Sequence, residues 1–163
     1  MMKVKSLIFD TTYIFPLFGI KITDLTNYEV ISDSIWEKGI KGYELIIPST
    51  CLMEVMYKLL SEYKSGGDIS ILNRYSIAIP SLLSFNPITL FDPLQNPEAS
   101  RIASVIRHSG HKDMMDCLIA ATAIVFKGIL ISEDSELKDF LQKIPDSLPL
   151  TCWSWKELRK KME

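Results

Sequence analysis

Four acidic side chains stand where the chain turns from apolar to polar. Asp10 follows the apolar run Leu7–Ile8–Phe9, and Asp134 lies just past Ser132 at the end of Ile129–Leu130–Ile131. Asp116 opens the apolar stretch from Cys117 to Phe126, and Glu54 emerges between Cys51, Met53 and Tyr57. At roughly 100° per residue Asp113, Asp116, Ala120 and Ala123 share one helical stripe, and the alanines would let that stripe approach a sheet closely. Converging carboxylates without a matching cluster of Arg or Lys repel one another, and a hard divalent cation relieves that repulsion. Mg²⁺ and Mn²⁺ prefer oxygen donors, and such an ion makes a water acidic enough to attack phosphorus. Each acid also has a plain structural reading. Asp10 and Asp134 suit turns or caps, Asp113 suits an N-cap with Asp116 in the first helical turn, and Glu54 could simply pair with Lys58.

The rest of the composition narrows the chemistry. Only two histidines, His108 and His111, are present, and the three cysteines Cys51, Cys117 and Cys152 are scattered with no Cys-x-x-Cys pair. A His-based triad, a cysteine-built zinc site and a disulfide framework are therefore poorly supplied, and reduced thiols fit a reducing cytoplasm. The net charge of -2 excludes a uniformly basic nucleic-acid wrapper. No apolar run approaches the ~18 residues of a membrane span. The opening MMKVKSLIFD breaks its apolar run at Asp10 and does not read as a signal peptide.

The 163 residues suit one domain, taken as 1–163, in which strands and helices must alternate to carry these acids. Apolar runs predict strands at Val4 to Phe9, Glu44 to Ile47, Pro87 to Phe91, Ile129 to Ser132 and Leu148 to Cys152. Helical spacing and caps predict helices over about 25–38, from Ser49 or Thr50 to Lys64, and over 68–85 with Pro80 kinking or splitting it. Further helices are expected over 97–108, 113–126, with Gly128 as its stop, 135–143 and 153–162. Such alternation implies a three-layer α/β/α sandwich with a mainly parallel sheet, whose ligands collect at the carboxyl ends of the strands.

Four segments resemble the ordered motifs of the PIN-domain nucleases. They are Leu7–Ile8–Phe9–Asp10–Thr11–Thr12–Tyr13–Ile14, Ile47–Pro48–Ser49–Thr50–Cys51–Leu52–Met53–Glu54–Val55, Asp116–Cys117–Leu118–Ile119–Ala120–Ala121–Thr122–Ala123, and Ile129–Leu130–Ile131–Ser132–Glu133–Asp134–Ser135–Glu136–Leu137. The resemblance implies a metal-dependent endoribonuclease, as in the toxin halves of toxin–antitoxin pairs. It implies Asp10, Glu54, Asp116 and Asp134 as the catalytic carboxylates, with Asp10, Asp116 and Asp134 on Mg²⁺ or Mn²⁺. Asp113, Glu136 and Ser132 are its supporting candidates. It also implies RNA as substrate, an antitoxin protein as partner and a homodimer, for which Trp153, Trp155 and Met162 offer one apolar face. Arg101, Arg107 and Lys112, the basic residues that precede the Asp116 helix, are expected to hold phosphates. A haloacid-dehalogenase phosphatase would need a second Asp at Thr12, and a response-regulator receiver would need more acids beside Asp10. The remaining alternative is a PIN-like binding or scaffold module whose metal site has decayed.

Overall fold

A computed structural model of the chain describes residues 4–144 and 148–163, so the first three residues of the MMKVKSLIFD opening lie outside the described residues. Five short strands form its centre: β1 (Lys5–Phe9), β2 (Tyr43–Pro48), β3 (Ile88–Phe91), β4 (Ile129–Ile131) and β5 (Thr151–Trp153). Their order is β3-β2-β1-β4-β5, and every pairing is parallel. β1 is the middle strand, with Ile8 in register with Ile46 on one side and Leu130 on the other. Strands covered on both faces read as continuous apolar runs, which is why β1, β2 and β4 lack an alternating polar pattern.

Among the described residues seven α-helices cover the sheet: α1 (Tyr28–Lys38), α2 (Thr50–Lys64), α3 (Ser70–Ser84), α4 (Pro97–His108), α5 (Met114–Val125), α6 (Ser135–Leu141) and α7 (Trp155–Met162). Successive strand residues point to opposite faces. Phe9 meets an aromatic layer in which its ring lies 5.7 Å from Tyr13 and 5.0 Å from Trp36, and Tyr28 lies 5.0 Å from Trp155. These edge-on pairs each add about 0.5–1.5 kcal/mol beyond burial. Against the other face lies α5, whose residues Cys117 to Ala123 are all buried because α4 covers the side that the sheet does not.

The structure departs from the sequence reading at several points. Thr11–Phe18 forms a 3₁₀ helix in a stretch where the sequence patterns place no element, with Pro16 inside it and Gly19 as its C-cap. Pro80 neither splits nor ends α3, which runs unbroken past it with the ring on the exposed side. The left-handed residue that ends α5 is Lys127, at φ 49°, rather than Gly128. Gly128 is required for a different reason: a Cβ there would lie 2.5 Å from Ile8 Cδ1 and 2.7 Å from the Ser6 carbonyl oxygen. Trp155 is 3% exposed and donates its Nε1–H to the Thr26 carbonyl at 2.9 Å. It anchors α7 inside the protomer and so cannot form an intermolecular face, while Trp153 is half-buried. Cys51 and Cys117 are buried, Cys152 is half-buried, and all three are free thiols. Among the described residues no helix is long and apolar enough to cross a membrane.

Candidate metal centre

The chain leaves β1 toward β2 on one side of the sheet and β4 toward β5 on the other. The crevice beyond the carboxyl ends of β1 and β4 is thus the topological switch point of the sheet. Asp10 follows β1 directly and is buried, with 9% exposure. One of its oxygens accepts from the Thr11 amide at 2.7 Å, capping the 3₁₀ helix, and the other accepts from the Ser132 hydroxyl at 2.7 Å. Ser132, fully buried at the end of β4, also accepts the Asp134 amide at 3.1 Å. One serine hydroxyl therefore ties the ends of the two central strands together and sets Asp134, whose carboxylate caps α6 through the Leu137 amide.

The other acids arrive on helices. Glu54 stands one turn into α2, and its carboxylate accepts from the Thr11 hydroxyl, so it faces inward rather than pairing with Lys58. Asp113 caps α5 through the amides of Met115 and Asp116, as its plain reading expects. It also joins the cluster: oxygens of Glu54, Asp113 and Asp116 lie within 4.8 Å of one another. Asp116 carries a further partner, His111, whose Nε2 is 3.0 Å from its Oδ2.

Electrostatics shows how crowded this edge is. Burial, reinforced by Asp116 and Asp134 and opposed by Ser132 and Thr11, pushes Asp10 from its ordinary 3.8 up to about 6. Burial, then Asp10, Asp116 and Asp113, push Glu54 up to about 8. Asp116 is raised chiefly by burial, against the pull of His111. Among the described residues, His111 is the sole basic side chain with a nitrogen within 4.0 Å of an oxygen of any of these acids. Hard oxygen donors in mutual repulsion, with no Lys or Arg to balance them, fit a divalent cation such as Mg²⁺ or Mn²⁺.

A cleft of about 630 Å³ opens beside the cluster, lined by residues that include His111, Lys112, Asp113, Asp116, Asp134, Glu136, Asp139 and Lys143. Another cleft, of about 610 Å³ beside Trp155 and Arg159, is nearly as large, so volume alone does not pick the site. The carboxylates do. Glu136 is exposed at the rim, and Lys112 lies on the cleft wall. Arg107 donates to the His111 carbonyl at 3.0 Å and so braces the loop before α5. Arg101 is elsewhere. It forms an exposed two-pronged pair with Glu98 and lines a groove with Lys127 and Gly128, at the amino edge of the sheet. His111, Thr11 and Lys143 are not marked by the sequence patterns: Thr11 is only a neighbour of Asp10, His111 sits at no periodic spacing from an acid, and Lys143 reads as an ordinary i, i+4 partner of Asp139.

Parallel-sheet architecture and a carboxylate-lined switch point together define the class to which the chain belongs, an α/β fold with an acidic centre. The PIN domain family model matches residues 7–141, and the chain belongs to that family. No curated protein matches it in sequence. Solved structures share its fold at low identity. PAE2754 from Pyrobaculum aerophilum aligns with a TM-score of 0.61 at 15% identity, over 99% of this chain and 98% of that one. The DNA-bound VapBC from Salmonella typhimurium aligns at 0.59 and 13% identity, over 93% of this chain and 98% of that one. VapBC2 from Rickettsia felis, bound to a DNA fragment from their promoter, aligns at 0.56 and 17% identity, over 91% and 98%.

Proposed function

We propose that the protein is a metal-dependent endoribonuclease and the toxin of a toxin–antitoxin pair. The observation that carries this reading is the convergence of Glu54, Asp113 and Asp116, with Asp10 and Asp134 in their field, on the switch point of a PIN domain. A bound Mg²⁺ or Mn²⁺ would supply Lewis acidity toward a phosphodiester and a water. Asp10, Asp116 and Asp134, with Glu54 and Asp113 beside them, are the residues to hold it. Ser132 keeps Asp10 and Asp134 in fixed relation, and Thr11 does the same for Glu54. The high position of Glu54 means that its carboxyl favours the protonated form near neutral pH, and holding a cation would favour the ionised form.

Lys112 and Lys143, at the cleft, suit the RNA phosphate backbone better than Arg101 does. The partner reading draws support from fold neighbours, among them a structure described as a toxin–antitoxin complex from Klebsiella pneumoniae, at a TM-score of 0.51 and 15% identity. A decayed binding module would have no need to keep five crowded acids at this cost in electrostatic strain.

The test is cleavage of a mixed RNA substrate by protein stripped of metal and then supplied with Mn²⁺, compared with EDTA and with the Asp116→Asn variant. Cleavage is expected only from the parent with metal. Cleavage that persists in EDTA and in Asp116→Asn would overturn the proposal.

A further inference from the structure

His111 is unaccounted for by the carboxylate chemistry, yet it is built into the site from three directions. Its Nε2 lies 3.0 Å from Asp116 Oδ2. Its ring packs against Phe140 of α6 with centroids 5.1 Å apart, and its carbonyl is held by Arg107 of α4 at 3.0 Å. The side chain is only 11% exposed, although it lies on the loop between α4 and α5. An ionised carboxylate can only accept, so with Asp116 ionised Nε2 carries the proton in this contact and has no lone pair free for a cation. Consistently, His111 is outside the cluster of oxygens that Glu54, Asp113 and Asp116 form.

We propose that His111 is a positioning residue: it engages one oxygen of Asp116 and holds the carboxylate turned toward Glu54 and Asp113. Imidazole, unlike an exposed lysine, is short and planar, and Phe140 and Arg107 leave it little freedom to follow a moving carboxylate. A cation then meets an Asp116 already in place. The inference rests on the reading of this cleft as a divalent-cation site. Partners of this kind commonly set metal affinity by about 10- to 100-fold.

The experiment is calorimetric titration of the metal-stripped protein with Mn²⁺, for the parent and for H111A, H111N and H111Q, beside the metal-free melting temperature of each. A Gln amide nitrogen reaches about where Nε2 lies, whereas the Asn amide stops short. H111A and H111N should bind Mn²⁺ about 10- to 100-fold more weakly. H111Q should bind close to the parent, and the metal-free melting temperatures of H111N and H111Q should stay together, while H111A melts somewhat lower for loss of its packing on Phe140. Parent-like Mn²⁺ binding by H111A, or H111Q no tighter than H111N, would overturn the positioning role. Absence of Mn²⁺ binding by the parent would instead overturn the cation-site reading itself.

Discussion

Asp10 is held where its charge is costly, and replacing it with Asn should make the metal-free protein more stable at alkaline pH. The carboxyl ordinarily ionises near 3.8 and in the folded chain near about 6, because burial outweighs the hydrogen bonds from Ser132 and Thr11. A folded value above the unfolded one means that the folded state binds more protons between them, so stability falls as pH rises through that window. At about 1.36 kcal/mol per pH unit the loss reaches about 3 kcal/mol once pH exceeds about 7. Asn keeps the volume and can still accept from the Thr11 amide, but it disturbs the short contact with Ser132 at a cost of about 1 kcal/mol. The net gain for Asp10→Asn is therefore about 2 kcal/mol at pH 8, or about 6 °C in a chain of this length. At pH 4 the folded parent is neutral there as well, so the gain should be lost and the variant should be level with the parent or up to about 1 kcal/mol less stable, the cost at Ser132. Urea unfolding in EDTA at the two pH values is the assay. A variant less stable than the parent at pH 8, or a gain equal at both pH values, would mean that the Asp10 charge is not costly in the folded chain. Mn²⁺ should reverse the order, since a ligand that binds only the folded parent stabilises it by mass action.

Other expectations follow from single contacts. Ser132→Ala removes the donor to buried Asp10 and orphans the Asp134 amide, and should cost about 2–3 kcal/mol in urea unfolding. Gly128→Ala forces a Cβ against the Ser6 carbonyl and Ile8, with backbone on one side unable to yield, and should cost about 1–3 kcal/mol. Alanine at Lys112 and Lys143 should weaken RNA binding and reduce its salt slope by about 0.7 per lost phosphate contact, whereas Arg101→Ala should leave both unchanged in a filter-binding titration.

The strands were readable because buried parallel strands leave continuous apolar runs, and Leu7–Ile8–Phe9 and Ile129–Leu130–Ile131 end where the chain must turn. Asp10 and Asp134 stand at those ends, so topology alone brings them together. Glu54 was less legible, since its helix offers an ordinary partner in Lys58 and only the fold shows Thr11 waiting on the inner side. Arg101 lies away from the cleft for a geometric reason. It precedes Arg107 by six residues on α4, roughly 9 Å back along a helix that runs toward the site. Nearness in sequence therefore does not bring it to the cleft. His111 was invisible because its link to Asp116 spans a loop and a helix start, where no periodicity applies.

If these carboxylates hold a divalent cation at the switch point between β1 and β4, anomalous diffraction from crystals soaked in Mn²⁺ should show it. A peak is expected at about 2.0–2.6 Å from an oxygen of Asp116 and from at least one other of Asp10, Glu54, Asp113 and Asp134. A cleft without a peak at saturating Mn²⁺, or a peak only at another face of the molecule, would mean that these acids do not hold a cation.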